Sequence, residues 1–248
     1  MLSKKIVKYI QSLSHKKFRD EENAFIAEGP KVVAEFLSGR NLNCKILCAY
    51  GDWLAANKNL LNNILPGNIY EIDEMSLQKI SLLKTPNRVV AVFEKKLTKK
   101  LPRLENKLSL MLDDIQDPGN LGTIIRIADW FGIENIICSE NCVDCYNPKV
   151  VQSTMGSLVR VDVWYTSLLS FIDEHKNISV YAAALSGISL NDCKKIKAGI
   201  ILIGNESTGI KEELLNKATQ KITIPKYGHA ESLNAAVATG IILAQVKL

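Results

Sequence analysis

The sequence predicts an α/β protein in two parts: a small α/β part over residues 1–105 and a larger one over 106–248, built on a mostly parallel sheet. Three observations carry this. The chain has 248 residues, 47% of them hydrophobic and 23% charged, which is ample for a core and long for one domain of about 100–150 residues. From Leu108 onward, short and almost purely apolar runs alternate with segments of helical spacing, the pattern of a parallel sheet covered on both faces. Charge divides unevenly, with 18 Lys and Arg against 11 Asp and Glu in residues 1–105 and 13 against 15 thereafter.

In the first part, Ile6, Val7, Ile10 and Leu13 recur at helical spacing over Lys5 to Leu13. A polar, basic stretch follows from Ser14 to Asp20, then a strand over Ala24 to Ala27. Glu28-Gly29-Pro30 is a turn that opens a helix, with Val32, Val33, Phe36 and Leu37 on its apolar face. Further strands are expected at Lys45 to Ala49, Ile69 to Ile72 and Val89 to Phe93. The charged, proline-containing run from Lys95 to Arg103 lacks periodicity and is expected to be the interdomain linker.

In the second part, strands are expected at Leu108–Leu112, Ile133–Cys138, Val161–Trp164, Ser179–Ala183, Gly199–Ile203 and Lys221–Ile224. Helices are expected at Asn120–Phe131, Lys149–Met155, Leu168–Glu174, Lys211–Lys217 and Leu233–Val246. Mean hydropathy is +0.04 and no apolar run approaches the roughly 18 residues of a membrane span, so a cytoplasmic protein without a membrane partner is expected. The basic first part suggests that it meets a polyanion.

Ligands of open α/β sheets bind outside the carboxyl ends of the strands. Three strands of the second part end in loops rich in Gly, Asn and Pro: Asp113 to Gly122, Gly204 to Gly209, and Pro225 to Asn234. On a parallel sheet these loops share one edge, where their main chain can form a nucleotide or cofactor pocket. Neither a phosphate-binding G-x4-G-K-[ST] loop nor a dinucleotide G-x-G-x-x-G follows a strand. His229, Glu231 and Ser232 lie too close in sequence, and outside any G-x-S-x-G context, for a hydrolase constellation. Cys138-x3-Cys142-x2-Cys145 has the spacing of a three-thiolate iron–sulfur site, but it follows a mid-chain strand and lacks the aromatic residue usual before the last cysteine; small buried thiols are expected, with no metal. Arg126, beside the first loop, is read as a phosphate or hydroxyl handler, and Glu206 as a functional carboxylate in the second.

The three loops resemble the three signature motifs of the SpoU branch of the SPOUT superfamily, the RNA 2′-O-ribose methyltransferases. Asp117-Pro118-Gly119-Asn120-Leu121-Gly122 through Arg126 resembles the first, Ile201 to Gly209 the second, and Ile222 to Pro225 with Glu231 to Ala238 the third. Asn147 to Gly156 resembles the intervening segment, although Gln152 stands where an arginine is common. More weakly, Ser14 to Arg19 and Phe25 to Gly29 resemble the family's small L30e-like RNA-binding domain. The resemblance implies a trefoil-knotted methyltransferase domain, S-adenosylmethionine as cofactor, ribosomal RNA as the favoured substrate and a homodimer whose sites use both chains. It implies cofactor contacts at Leu202, Gly204, Ile224, Ser232 and Leu233, and catalytic positions at Asn120, Arg126, Glu206, Ser232 and Asn234. Two other readings remain at this point, a tRNA ribose methyltransferase and a non-catalytic RNA-binding protein that keeps the fold.

Overall fold

The structure is a computed structural model that describes residues 2–39, 42–96, 104–193 and 195–247. In chain order the first stretch contains α1 (Lys4–Ser12), α2 (Lys16–Glu21), β1 (Ala24–Glu28), α3 (Pro30–Ser38), β2 (Cys44–Ala49), α4 (Gly51–Ala56), β3 (Ile69–Glu71), α5 (Glu74–Ile80) and β4 (Val89–Glu94). After it come β5 (Leu108–Leu112), α6 (Pro118–Trp130), β6 (Asn135–Cys138), α7 (Pro148–Thr154), β7 (Asp162–Tyr165), α8 (Leu168–Glu174), β8 (Val180–Ser189), β9 (Gly199–Ile203), α9 (Glu212–Lys217), β10 (Gln220–Thr223) and α10 (Ala235–Lys247). Most of the expected linker, residues 97–103, lies outside the described residues. Among the described residues no helix is long and apolar enough to cross a membrane.

Contacts divide the chain into two compact units, and the division is not a single cut. Residues 1–97 group with 144–159, and residues 98–143 group with 160–248. The first unit holds a four-stranded sheet in the order β1-β4-β2-β3, antiparallel except for the β2–β3 pair. Every residue of β1 is buried. The segment 144–159 joins this unit for physical reasons visible in its contacts. The Tyr146 ring lies 4.7 Å from that of Phe25, within a cluster that includes Phe36 and Phe93. The Tyr146 hydroxyl accepts the Lys96 amide at 3.0 Å. Asp144 accepts Nε and Nη2 of Arg19 at 3.0 and 2.7 Å.

Arg19 is 1% exposed, and its Nη1 also donates to the carbonyls of Leu13 and Ser14. A guanidinium with every polar face occupied is stable out of water only because it is paired. This explains why Lys16–Glu21, polar and aperiodic in sequence, is the helix α2: tertiary bonds to Arg19 order a segment whose own pattern does not.

The second unit holds a six-stranded sheet in the order β10-β8-β9-β5-β6-β7, and every pairing in it is parallel. Strands β5, β6 and β9 are wholly buried, as runs that are apolar apart from Ser109 and Asn135 require. On one face Met111, Ile137, Ile200 and Leu202 pack with Leu168, Phe171 and Leu214. Strand β8 is longer than the expected Ser179–Ala183. It pairs with β10 through Tyr181 and Ala182, breaks register, and pairs again through Ile188 and Ser189, so residues 183–187 leave the ladder. Because all strands run the same way, the segments that follow Leu112, Ile203 and Thr223 lie on one edge.

Candidate active site

Local sequence sets up each of the three loops. In the first, the Asp117 carboxylate caps α6 by accepting the Asn120 amide at 2.8 Å, with Pro118 beginning the helix. In the second, Asn205 and Gly209 exchange main-chain hydrogen bonds of 3.1 and 2.9 Å, and Asn205 Oδ1 accepts the amides of Ser207 and Thr208. This closes a tight loop with Glu206 at its shoulder. Gly204 is obligatory here: a Cβ would lie 2.4 Å from the Gly209 carbonyl carbon and 2.5 Å from the Ile210 nitrogen. In the third, Asn234 Oδ1 caps α10 by accepting the amides of Ala236 and Val237 at 3.0 and 3.2 Å.

The loops meet through side-chain amides. Asn120 Nδ2 donates to Glu206 Oε1, and Asn234 Nδ2 donates to Asn120 Oδ1 at 2.8 Å. Capping occupies the Asn234 oxygen, so its amino group must point outward; Asn120 then accepts with its oxygen and gives its own N–H to the carboxylate. One proton pattern satisfies all three residues. A second tie runs beneath, where Asn205 Nδ2 donates to the Asp114 carbonyl at 2.8 Å. Buried Asp113 accepts the Lys211 amide at 3.0 Å, with the Lys211 ammonium 3.6 Å away.

Beside this junction lies a cleft of about 1050 Å³, lined by the second and third loops and by the β8 excursion at Ala183 to Ser186. Gly204, Glu206, Ile224, Ser232 and Leu233 all border it. Its walls combine apolar side chains with loop main chain, the lining that a flat heterocycle on a polar tail requires.

Two of the expected site residues are placed elsewhere. Leu202 is fully buried in the core and does not border the cleft. Arg126 is exposed and has no hydrogen bond or ion pair among the described residues, so Glu206 holds Asn120 rather than Arg126. Six residues along a helix is about 240° of rotation and 9 Å of rise, so Arg126 and Asn120 occupy different faces of α6. Arg126 instead shares an exposed stripe with Trp130, one turn on and 83% exposed. Asn205, Asp113 and the β8 excursion join the site without having been singled out in the sequence; the only local sign was an unusual density of Asp and Asn just after apolar strands.

Cys138, Cys142 and Cys145 are all buried. Hydrogen bonding from Cys138 outweighs burial, with help from Ser139 and the Ile115 amide, and brings the Cys142 thiol down to about 7. Among the described residues no group of three or more His, Cys, Asp or Glu side chains is arranged to hold a metal ion. His229, Glu231 and Ser232 are exposed and share no hydrogen bond among the described residues.

The chain was compared with known proteins. Residues 107–244 match the SpoU rRNA Methylase family, and residues 4–91 match the MRM3-like substrate binding domain. The Bacillus subtilis 23S rRNA (guanosine(2553)-2′-O)-methyltransferase RlmP is 32% identical over 96% of this chain and 94% of its own. An AdoMet-bound rRNA methyltransferase from Sinorhizobium meliloti superposes with a TM-score of 0.83 at 32% identity, covering 99% of this chain and 95% of that one. The fold is shared with the SpoU methyltransferase AviRb of Streptomyces viridochromogenes, with a TM-score of 0.83 at 24% identity over 98% of this chain and 97% of that one. With a family model spanning more than half its length and an end-to-end relative at this identity, the chain belongs to the SpoU rRNA methylase family, and its α/β methylase domain follows a substrate-binding domain.

Proposed function

We propose that this protein transfers the methyl group of S-adenosylmethionine to a ribose 2′-hydroxyl of ribosomal RNA. The observation that carries this reading is the Glu206–Asn120–Asn234 junction, which ties three loops together on the edge of a cleft of cofactor size. The residues present fit the cofactor: Gly204, Ile224, Ser232 and Leu233 border the cleft, and the absence of a side chain at Gly204 lets the second loop close tightly beside it. Leu202 contributes from the core by fixing the end of β9 rather than by contact.

Bound S-adenosylmethionine supplies a methyl already activated on a sulfonium, so no metal is required. The protein's task is to bring the sugar oxygen into line and to help it lose its proton, since a ribose hydroxyl is a weak nucleophile at neutral pH. Arg126 serves this by electrostatic activation, because a guanidinium is too basic to be an ordinary proton acceptor. Asn120 and Asn234 position the loops and the substrate, Glu206 holds Asn120, and Ser232, on the border of the cleft, would meet substrate and cofactor there.

The placement of Arg126 favours a homodimer in which it enters the partner's site. It stands on a stripe with Trp130, on a helix packed against α10, where Val237 and Ile241 are also exposed. Such an apolar patch on two packed helices suits a two-fold contact. A trefoil knot is part of the same reading. The chain leaves β10 at the edge of the sheet, yet its next helix packs on α6, which follows β5 three strands away.

The test uses purified protein, S-adenosylmethionine and in vitro transcribed 23S rRNA, with bulk tRNA alongside. Arg126→Ala is expected to keep cofactor binding and to lose methyl transfer. Mixing inactive Arg126→Ala with inactive Glu206→Ala should restore roughly a quarter of the activity through mixed dimers. Methyl transfer by Arg126→Ala near the parental rate refutes the role of Arg126. Exclusive methylation of tRNA refutes the choice of substrate, and cofactor uptake with no transfer to either RNA refutes catalysis.

A further inference from the structure

The third loop carries a side chain that the site above leaves unused. Residues 225–233 run between β10 and α10 without regular structure, all but Pro225 exposed. None of them takes part in a hydrogen bond or ion pair among the described residues; the loop is anchored at its ends, by Thr223 in β10 and by the Asn234 cap of α10. Among the described residues that border the cleft, Tyr227 alone is aromatic, and it is 92% exposed. Other rings of the second unit have partners: the Tyr165 hydroxyl donates to the Val143 carbonyl at 2.6 Å, and Phe171 stacks on His175 at 4.2 Å. Tyr227 has neither a ring contact nor a hydrogen bond among the described residues.

Position decides what this ring serves. A ring that walled the cofactor's heterocycle would be half-buried by the lining of the cleft. A ring this open stands at the rim, where a ligand reaching in from outside meets it. Charge does not single out this rim for a polyanion, since Lys226 and Glu231 on the same loop offset each other and Glu206 also borders the cleft. The face of the ring is the feature with which the loop can hold a ligand.

We infer that Tyr227 is a specificity-determining residue of the methyl transfer, its ring stacking on the base of the target nucleotide and so delivering the attached ribose to the cleft. A base and its sugar are joined by one bond, so fixing the plane of the base confines the 2′-hydroxyl to a small arc. Ser232 and Asn234 lie five and seven residues further along the same loop. Every base has a π-face, but only a base drawn out of its stack can offer it, so the ring favours an unpaired target over one inside a duplex. The inference rests on the RNA methyltransferase reading and adds to it the group that holds the target base.

The experiment measures kcat and KM of the full-length protein for in vitro transcribed 23S rRNA at saturating S-adenosylmethionine. Cofactor affinity is followed by calorimetry and oligomeric mass by light scattering. Tyr227→Ala is expected to raise KM for RNA about 5- to 150-fold with kcat within roughly threefold, because a stack made equally in the ground and transition states is uniform binding. Tyr227→Phe and Tyr227→Trp keep the π-face and should stay within roughly threefold of the parent, whereas Tyr227→Leu, apolar without a π-face, should resemble Tyr227→Ala. Cofactor affinity, mass and thermal unfolding should not move in any variant. A parental KM in Tyr227→Ala overturns the inference. So does a matching loss of cofactor affinity, which would place the ring on the cofactor, or a change of mass, which would place it between copies of the chain. A loss in Tyr227→Phe equal to that in Tyr227→Ala overturns it too, since the hydroxyl and not the stack would then be what counts. A parent that methylates neither 23S rRNA nor tRNA refutes the functional reading instead.

Discussion

Replacing Gly204 with Ala adds one methyl group at the point where β9 passes into the second loop. That methyl would lie 2.4 Å from the Gly209 carbonyl carbon, 2.5 Å from the Ile210 nitrogen and 2.6 Å from the Gly209 oxygen. All three are backbone atoms, so no side chain can swing aside. Restoring an ordinary contact of about 3.5 Å requires a main-chain displacement of roughly 1 Å. The segment that must move closes the Asn205–Gly209 pair and carries Glu206 on its shoulder. Overpacking of this kind costs about 1–3 kcal/mol of stability. A comparable loss in the bound state, about 1.4 kcal/mol for each factor of ten, weakens S-adenosylmethionine binding by roughly 5- to 150-fold. Urea unfolding with and without cofactor, together with calorimetric titration, measures both effects. Gly67→Ala is the control, since its Cβ meets nothing within 4 Å. Parental cofactor affinity in folded Gly204→Ala would show that the cleft beside Gly204 is not the cofactor's.

Two further outcomes follow from hydrogen bonds in the two units. Asn120→Ala and Asn234→Ala remove opposite ends of one bond, so their effects on kcat should not add; a double-mutant cycle is expected to return a coupling of about 0.5–1.5 kcal/mol, and strict additivity would mean that the bond does not matter during turnover. In the first unit, burial raises the Glu28 carboxyl above its ordinary 4.5, although Ser81 and the Leu82 amide bond its charged form. A raised folded-state value means that the native protein holds this proton more tightly than the unfolded chain, so stability from this group is full at low pH and is lost as pH rises from about 4.5 through the folded value. Glu28→Gln keeps an acceptor for Leu82 without the charge, so its stability relative to the parent should grow from pH 4 to pH 8, whereas Glu28→Leu should cost about 1–3 kcal/mol; a parent–Gln difference that stays flat across that range would discount the buried charge.

Periodicity located the strands of the second unit because a strand buried on both faces must be almost entirely apolar, as β9 is throughout and β5 is apart from Ser109. It also located the edge on which the loops gather, since a parallel sheet leaves no other choice. Asn120, Glu206 and Asn234 were legible as residue types in unusual loops, but the bonds between them were not, because those bonds span 86 and 114 residues of chain. Helix α2 was hidden for a different reason. Its order comes from Arg19 reaching Asp144, 125 positions away, and composition reads such an arginine as surface charge.

The amino-acid sequence by itself determined the class of fold, the family and the cofactor chemistry, because these depend on local pattern and on motifs of fixed spacing. Tertiary structure alone decided that residues 144–159 belong with the first unit, that Leu202 lies in the core and does not border the cleft, and that Arg126 occupies a different face of α6 from Asn120. Each of these turns on which distant surfaces bury one another, or on rotation about a helix axis that starts where folding places it, and neither is written in any short stretch of residues.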